Sequence, residues 1–600
     1  MTATVEEVTE HSFDYIICGG GTAGLTLAAR LSEDPDITVL VLEAGQANLN
    51  DPVILRPGSY GVHFANPNYA WPYQTSKQTG LLGLEPWWFR GKGLGGTSGI
   101  NFMVWTKPPA EEINDWERLG NPGWNWGNYV TYLNRSEGFV PPSPEVQQRL
   151  HMKLGDWSLG KDGPVKVSFP GTINEVELTV METLKNFGIH EAPLPLDGNP
   201  NGSFLVPNNY DPITHTRSYA ATAHYLPNQN RRNLTVLVSA HVSRVITERA
   251  SDGPHAATGV EFYYEDKPLI AHARKEVIVS AGALKSPHIL ELSGIGDKSL
   301  LHKIGIPVKI DLPGVGNNVQ EHILGLMSWE LRDDVDFQSL DILRDLGEAE
   351  RQIELHADGK GVHTLGVVGL SFSPLRKITA KADAIISAAK ARILEQADTY
   401  PPGRLEQFKI HLERLENDAP MCEIITFSGF MSGPNPPEPG KKYLSIFASL
   451  NQCWSRGTIH ATSNDPQQEP EFDPHYFEEE IDKQLWFELI KFTRNLGKTA
   501  PLKDLIVKET NPGLDVVDDD DLWKWSQKEL STTWHTASSC SMLPRDKGGV
   551  VDHELKVHGT SNIRVVDLSV VPLHFEAHPQ ATVYAIAEQA ADIIKGKFRG

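Results

Sequence analysis

His535 and His578 are the two side chains of this sequence best placed for proton chemistry. They bracket the run GVVDHELKVHGTSNIRVVDLSVVP, and an amphipathic stretch follows the second directly. Imidazole titrates nearer neutrality than any other side chain, so such a pair suits the removal and return of a proton. At the other end of the chain, Gly19-x-Gly21-x-x-Gly24 sits where an apolar strand pattern gives way to a helix pattern. In that fingerprint Gly19 permits a tight turn, Gly21 lets backbone approach a pyrophosphate, and Gly24 lets the helix pack closely on the strand. The helix N-terminus would offer N–H groups and a positive dipole end to the phosphates. Glu43, closing the next strand, fits the acid that accepts ribose hydroxyls, and it would repel a 2′-phosphate, which disfavours NADP. The fingerprint alone does not separate FAD from NAD. If the two ends of the chain meet, a redox cofactor and a proton-handling pair make a dehydrogenating enzyme.

Periodicity gives the elements that must carry these groups. Residues 13–45 read as a βαβ half: FDYIIC is a short buried strand, TAGLTLAARLSE a helix with small residues on one face, and ITVLVLEAG a second buried strand. From about 46 to 215 the chain is irregular and rich in Trp, Pro, Gly and Asn, as loops covering a site would be. Strand patterns return within 233–321 as NLTVLVSAHVSRVITER, ATGVEFYYE and KEVIVSAG. Residues 340–420 read as polar and helical, with KADAIISAAKARILEQA the best stretch and Pro401-Pro402 breaking it. LSIFASLNQ and GTIHATS read as strands, and DKQLWFELIKFTRNLGK as a helix. Near the C-terminus NIRVVDLSVV alternates like a strand, with Asp567 near its carboxyl edge, and ATVYAIAEQAADII has helical spacing with Pro579 suited to its first turn. Nucleotide-type segments thus alternate with others, which predicts two domains interleaved in the sequence.

Composition excludes several classes. Six hundred residues are too many for one hydrophobic core. A 40% apolar fraction and 14 tryptophans mark a globular chain. The net charge of −22 argues against nucleic acid and anionic membrane surfaces as partners, and no 18-residue apolar stretch is present. The start MTATVEEVTEHS has neither a basic region nor an apolar run, so the expected location is intracellular, in the cytoplasm. Cys18, Cys422, Cys453 and Cys540 have neither disulfide nor metal-ligand spacing and read as packed thiols. His574 and His578 stand four apart, but in a Phe-Glu-Ala-His segment that follows a strand, so no metal is expected. There is no G-x-S-x-G elbow to support hydrolase chemistry.

A second glycine cluster narrows the cofactor. Arg90-Gly-Lys-Gly-Leu-Gly95-Gly96-Thr97-Ser98-Gly99-Ile100-Asn101 can present consecutive N–H groups to a phosphate or ring edge without side-chain obstruction. Its interleaved Leu94, Ile100, Phe102 and Met103 argue against a flexible linker. A third element, GALKSPHILELSGIG at 282–296, opens with Ser-Pro and ends on glycine, as a capped helix does. RGKGLGGTSGINFMVWTKP and GALKSPHILELSGIG resemble the two signature segments of the glucose-methanol-choline (GMC) family of FAD-dependent oxidoreductases. LEAG at 42–45, LPGVGNNVQEH at 312–322 and the C-terminal run are similar too, so the likeness spans about residues 13–597 and is weakest over 330–440. Within the family it looks most like fungal aryl-alcohol oxidases.

The resemblance implies an α/β chain (α+β overall), with a Rossmann-like FAD-binding domain interleaved with a substrate domain built on an antiparallel sheet with helices. It assigns 1–60, 216–322 and 531–600 to the first and 61–215 and 323–530 to the second, with residues 90–101 reaching FAD. Gly19, Gly21, Thr22, Ala23, Gly24, Glu43 and Ala44 would hold the ADP half. Gly95, Gly96, Thr97, Asn101 and Phe102 would lie along the pyrophosphate and isoalloxazine. Val242 would meet the adenine through its backbone, while Ala281 and Asp567 would stand at the phosphate or ribitol. Pro579 and Gln580 would abut the flavin pyrimidine edge, where a helix N-terminus would stabilise charge developing on reduction. His535 matches the general base and His578 its partner.

Some relatives bind FAD covalently through a histidine at the position of Ile100; isoleucine cannot form that bond, so non-covalent FAD is expected. Phe102 and Trp534 adjoin the reacting groups, so an aromatic alcohol or a furan could stack there. Met103, Trp105, Trp87 and Trp88 read as packing. The expected activity is oxidation of a primary aryl or allylic alcohol to the aldehyde, with O2 reduced to hydrogen peroxide. The alternatives are electron transfer to a quinone and an FAD-containing lyase of the hydroxynitrile-lyase type. The sequence leaves the oligomeric state open.

Overall fold

The computed structural model describes residues 2–155, 158–249 and 253–598. FDYIIC forms the central strand, Ser12–Cys18, of a seven-stranded sheet, and Ile16, Ile17 and Cys18 are fully buried. From one edge the order is Leu234–Leu237, Val39–Leu42, Ser12–Cys18, Lys267–Val279, His255–Tyr264 and His241–Arg249, with Ile563–Val565 paired to the end of Lys267–Val279. The first four and Ile563–Val565 run parallel; the last three form an antiparallel meander. Parallel strands need crossovers, and helix Thr22–Leu31 supplies the first. The closing helix Gln580–Ile594 packs between it and helix Trp126–Ser136. Arg30 locks that contact with an ion pair to Glu588 at 2.8 Å.

Register decides where a site can form. Cys18 pairs with Leu42 and Val279, and Val279 with Val565, so four parallel strands end in one row. The loops that follow, at Gly19, Glu43, Ser280 and Asp567, therefore share one edge, the carboxyl edge where open α/β sheets bind ligands.

The second sheet is antiparallel throughout. Its order is Ile506–Asn511, Ile323–Leu331, Tyr443–Leu450, Cys422–Phe427, Gly369–Ser373 and Gly202–Leu205, with Ser531–Thr532 also on Ile323–Leu331. Strand side chains alternate between faces. Ile424, Ile446 and Ala448 join the cluster containing helix Glu480–Leu496, while Ile425, Phe427 and Phe447 join one on the opposite face. Both faces are covered, which is why YLSIFASL is buried at every position. The architecture is the α/β one expected, a mixed, largely parallel nucleotide-type sheet beside an antiparallel sheet with helices.

Three readings of the elements change. The stretch 46–215 is not merely irregular: it holds helices Ala110–Arg118, Trp126–Ser136 and Val176–Lys185. In the first two the buried face is built from spaced residues such as Ile113, Trp116, Tyr129 and Leu133 rather than an aliphatic stripe. The segment 340–420 contains helices Ala382–Glu395 and Arg404–Glu416 on either side of Pro401-Pro402, but Gly369–Ser373 within it is a fully buried strand. NIRVVDLSVV is strand only over Ile563–Val565; Asp567 then caps a 3-10 turn, Leu568–Val570, and breaks the alternation. All four cysteines are buried free thiols. Among the described residues no helix is long and apolar enough to cross a membrane.

Candidate active site

The first loop turns at Gly19, whose φ of +113° lies where side chains are strained. A Cβ at Gly24 would stand 2.0 Å from Gly19 O, so this glycine lets the helix close onto the turn. Gly21 differs. The nearest protein atom an added Cβ would meet is Gly96 Cα, 3.8 Å away, so its free side opens into space. Helix Thr22–Leu31 begins there with no side-chain cap, leaving first-turn N–H groups for an anion.

A cavity of about 340 Å³ joins this cradle to the second sheet. Gly19, Gly21, Thr22, Ala23, Glu43 and Ala44 line its nucleotide end, together with Val242, Ala281 and Asp567. Gly96, Thr97 and Asn101 line its middle, and Phe102, Trp534, His535, His578, Pro579 and Gln580 its far end. Gly24 and Gly95 are absent from the lining. Gly24 acts through packing, as above. At Gly95 (φ +95°) a Cβ would stand 2.5 Å from the Tyr219 ring, so glycine is required for the turn against that ring.

Two buried acids brace the loops. Glu43 accepts N–H bonds from Gly20 (2.8 Å), Gly45 (2.8 Å) and Gly93 (3.0 Å), tying three segments together, while burial holds its carboxyl above the usual range. Asp567 accepts from Gly282 N–H (2.9 Å), Ser286 O–H (2.5 Å) and Ser569 N–H (2.8 Å), and burial raises it likewise. Further along, Asn101 donates to Gln580 Oε1 and accepts from Arg217 at 2.6 Å. Gln580 Nε2 is left buried with no partner among the described residues. Gln580 also opens helix Gln580–Ile594, which has no side-chain cap. An unpaired amide donor beside a helix N-terminus suits an electron-rich group. Gly21's open side, two uncapped helix starts and this orphan donor together match a dinucleotide carrying a flavin.

At the far end the His535 and His578 rings stand 5.0 Å apart at 68°. His578 Nε2 bonds Glu423 Oε1 at 2.7 Å, and Glu423 shares its strand face with Ile425 and Phe427, which look toward the cavity. His535 Nδ1 lies 3.0 Å from His322 Nδ1, and His322 Nε2 lies 3.2 Å from His574 Nδ1. Burial and neighbouring cationic forms hold His535 and His322 well below the usual imidazole range, and burial pushes His574 down to about 3. All three are neutral near pH 7. Glu321 accepts the backbone N–H of His535 (2.7 Å) and of His322 (2.9 Å) as well as the Thr536 hydroxyl, which fixes the two chain segments together.

Aromatic rings roof this end. Phe64 stacks on Phe89 at 4.7 Å and meets Trp534 edge-on at 4.8 Å, and Phe102 lies 6.2 Å from Trp534 at 24°. Trp534 has φ +59°, a left-handed conformation costing on the order of 1–3 kcal/mol for a bulky residue. Its N–H bond to Thr532 Oγ1 (2.7 Å) and indole bond to Trp87 O (2.9 Å) hold it there. Leu324, Leu326, Val367, Ile425, Met431 and Phe447 complete an apolar chamber. Of the residues expected to pack, Trp87 departs, being 47% exposed, whereas Met103 is fully buried in the cavity wall. Trp88 and Trp105 are fully buried, as expected.

Sequence reasoning missed Glu423, His322 and His574 as parts of this cluster. Glu423 had a legible signal, a lone carboxyl in the apolar strand CEIITF. His322 closes the QEH run already singled out. His574 had none, because its role arises from a loop crossing.

Two stretches match a family described as GMC oxidoreductase: residues 13–324 match its N-terminal part and residues 454–587 its C-terminal part. The GMC oxidoreductase family protein Mala s 12 of Malassezia sympodialis is 35% identical over 596 residues, covering 98% of this chain and 93% of its own. Among solved structures, an FAD-dependent oxidoreductase from Chaetomium thermophilum superposes with a TM-score of 0.89 at 30% identity, covering 98% of this chain and 99% of that one. A fungal aryl-alcohol oxidase superposes with a TM-score of 0.84 at 29% identity, with the same coverage.

Proposed function

This chain belongs to the GMC oxidoreductase family, whose members depend on FAD and act on CH–OH donors, and from that premise we propose that it oxidises a primary aryl or allylic alcohol to the aldehyde, with O2 as acceptor and hydrogen peroxide as product. One observation carries the reading: the histidine pair sits where the nucleotide-type cavity opens into an apolar, aromatic-roofed chamber. The family's flavin, when bound, supplies a two-electron hydride acceptor. The protein supplies the rest. The lone pair of His535 Nε2 takes the hydroxyl proton, because an alcohol carbon releases hydride readily only as that proton leaves. His578, fixed by Glu423, orients the hydroxyl oxygen. Phe102 and Trp534 hold a flat apolar substrate, and the chamber excludes water.

FAD is held non-covalently in this reading. Ile100 lines the cavity and has no nucleophilic atom. Gly19, Gly21, Thr22, Ala23, Glu43, Ala44 and Val242 would hold the adenosine half, with Gly96, Thr97, Ala281 and Asp567 at the diphosphate and ribitol and Asn101, Pro579 and Gln580 beside the ring.

The test is anaerobic reduction of the yellow holoprotein with a panel of alcohols, followed by air. Bleaching by aryl or allylic alcohols, then rapid recovery with stoichiometric peroxide, is expected. Recovery with quinone but not with air would overturn the acceptor. Absence of bleaching together with cyanohydrin cleavage would replace the oxidase with a lyase.

A further inference from the structure

The hydrogen-bond partners of four imidazole nitrogens fix where the proton sits on His535. His574 Nε2 lies 2.8 Å from the carbonyl oxygen of His535, which can only accept, so His574 Nε2 carries its proton. His574 Nδ1 faces the backbone N–H of Phe575 at 2.9 Å, which can only donate, so Nδ1 is a bare lone pair. Both ends of this ring are thus determined by backbone. His322 Nε2 faces that lone pair at 3.2 Å; two lone pairs would repel, so His322 Nε2 carries a proton. The ring centroids are only 3.9 Å apart, so this link is bent and shared with the Phe575 N–H. His322, wholly buried and neutral, then has a lone pair on Nδ1. That lone pair meets His535 Nδ1 at 3.0 Å, with the rings nearly perpendicular at 82°, so His535 Nδ1 must donate.

We propose that His322 and His574 are positioning residues that lock His535 as its Nδ1–H tautomer, leaving the Nε2 lone pair for the cavity. The inference rests on the reading of His535 as the base. The chain of donors closes on itself, because the carbonyl that sets the far end belongs to His535. A neutral imidazole free to choose would also populate the Nε2–H form, which has no lone pair for the substrate. Where an acceptor behind a catalytic histidine is replaced by a donor elsewhere, as in the serine-protease triad, the wrong tautomer lowers kcat by about 10⁴. Here the acceptor is itself neutral, so a smaller effect is expected.

Two measurements test this. In the holoenzyme with ¹⁵N-labelled histidine imidazoles, the His535 resonances are assigned by their loss in His535→Ala; Nδ1 is expected to be protonated and Nε2 bare. The opposite tautomer overturns the proposal without any variant at His322. Separately, His322→Leu removes the acceptor, whereas His322→Asn keeps an oxygen near the same position. The flavin-reduction rate at saturating alcohol is expected to fall about 10- to 100-fold in His322→Leu, with substrate affinity within about twofold, and to recover mostly in His322→Asn. Equal losses in both variants, or a loss confined to affinity, would mean a structural role only. If instead His535→Ala reduces its flavin at the wild-type rate, the base assignment itself has failed, and that result is separate from the tautomer measured by NMR.

Discussion

His578 and Glu423 are bonded at 2.7 Å across the boundary between the two sheets, Glu423 from the antiparallel strand Cys422–Phe427 and His578 from the turn before the closing helix. Glu423 Oε2 also accepts from Asn451 at 3.0 Å, so its carboxyl is fixed at both oxygens. The two histidines are thus steered from different directions, His578 from the second sheet and His535 from the His322 side.

Their separate anchoring predicts separable phenotypes. His535→Ala is expected to lower the flavin-reduction rate by about 10²–10⁴-fold with FAD retained, as loss of a general base does. Glu423→Gln keeps an oxygen for His578 Nε2 and is expected to cost about tenfold less than Glu423→Leu, which leaves a buried donor unpaired. Stopped-flow reduction at saturating alcohol checks both. A Glu423→Leu enzyme as fast as Glu423→Gln would show that the bond does not orient His578.

The aromatic roof predicts where specificity lies. Phe102→Ala and Trp534→Ala each remove a ring from an apolar chamber, forfeiting about 0.5–1.5 kcal/mol of aromatic interaction in addition to buried area. The expected result is a KM rise of about tenfold or more for aryl alcohols and little change for short alkyl alcohols. Comparing kcat/KM across both classes tests this, and a uniform loss would place these rings outside the substrate site.

How much of this was legible in the sequence depended on whether a signal was local. The turn at Gly19, the helix starts at Gly21 and Pro579 and the buried strands follow from short-range steric and hydrophobic rules, and the chain keeps them. The pairing of His535 with His578 was readable through motif order. The support beneath them was not. His322 and His574 reach His535 only because a loop after Val319 and one before the last helix cross, a tertiary fact without periodicity. Gly95 shows a related ambiguity: positive φ and ligand approach both demand glycine, and the Tyr219 ring beside it accounts for glycine there without a ligand.

Buried imidazoles make stability depend on pH in a definite direction. His63, His241 and His363 are lowered to about 4 and His224 and His574 to about 3, each chiefly by burial. Below their ordinary value of 6.5 the unfolded chain binds protons that the folded chain refuses, so stability falls as pH falls from about 6.5 toward 3. Glu112, Glu177 and Glu321, raised by burial to about 7, act oppositely: the unfolded carboxyls ionise above 4.5 while the folded ones stay protonated, so their contribution declines as pH rises from 4.5 to 7. The two sets oppose each other between 4.5 and 6.5, and below 4.5 only the histidines act. Thermal midpoints are expected to vary gently from pH 7 to 5 and to fall most steeply between about 4.5 and 4, where all five histidines act and the three glutamates no longer oppose them. A midpoint that holds down to pH 3 would contradict the burial of these rings.

The mode of cofactor attachment has a direct readout. Ile100 lines the cavity and is 4% exposed, and it offers no atom for a covalent bond to flavin. Denaturing the yellow holoprotein in acid and pelleting it is expected to leave all flavin in the supernatant. Flavin retained in the pellet would require a different attachment residue.

The two neighbouring glycines of the first loop should fail in different ways. Gly21 has φ −79°, which any residue adopts, and an added Cβ meets protein only at 3.8 Å. Gly21→Ala is therefore expected to fold with an apo melting midpoint within a few degrees of wild type, yet to bind FAD at least tenfold more weakly, because the methyl enters the space a pyrophosphate needs. At Gly24 the Cβ would stand 2.0 Å from Gly19 O, and backbone cannot yield that distance without moving the turn. Gly24→Ala is expected to lose apo stability first, and FAD binding only as a consequence. Melting curves of the stripped proteins and FAD titration separate the two. If Gly21→Ala binds FAD as tightly as wild type, the open side of Gly21 is not where the cofactor lies.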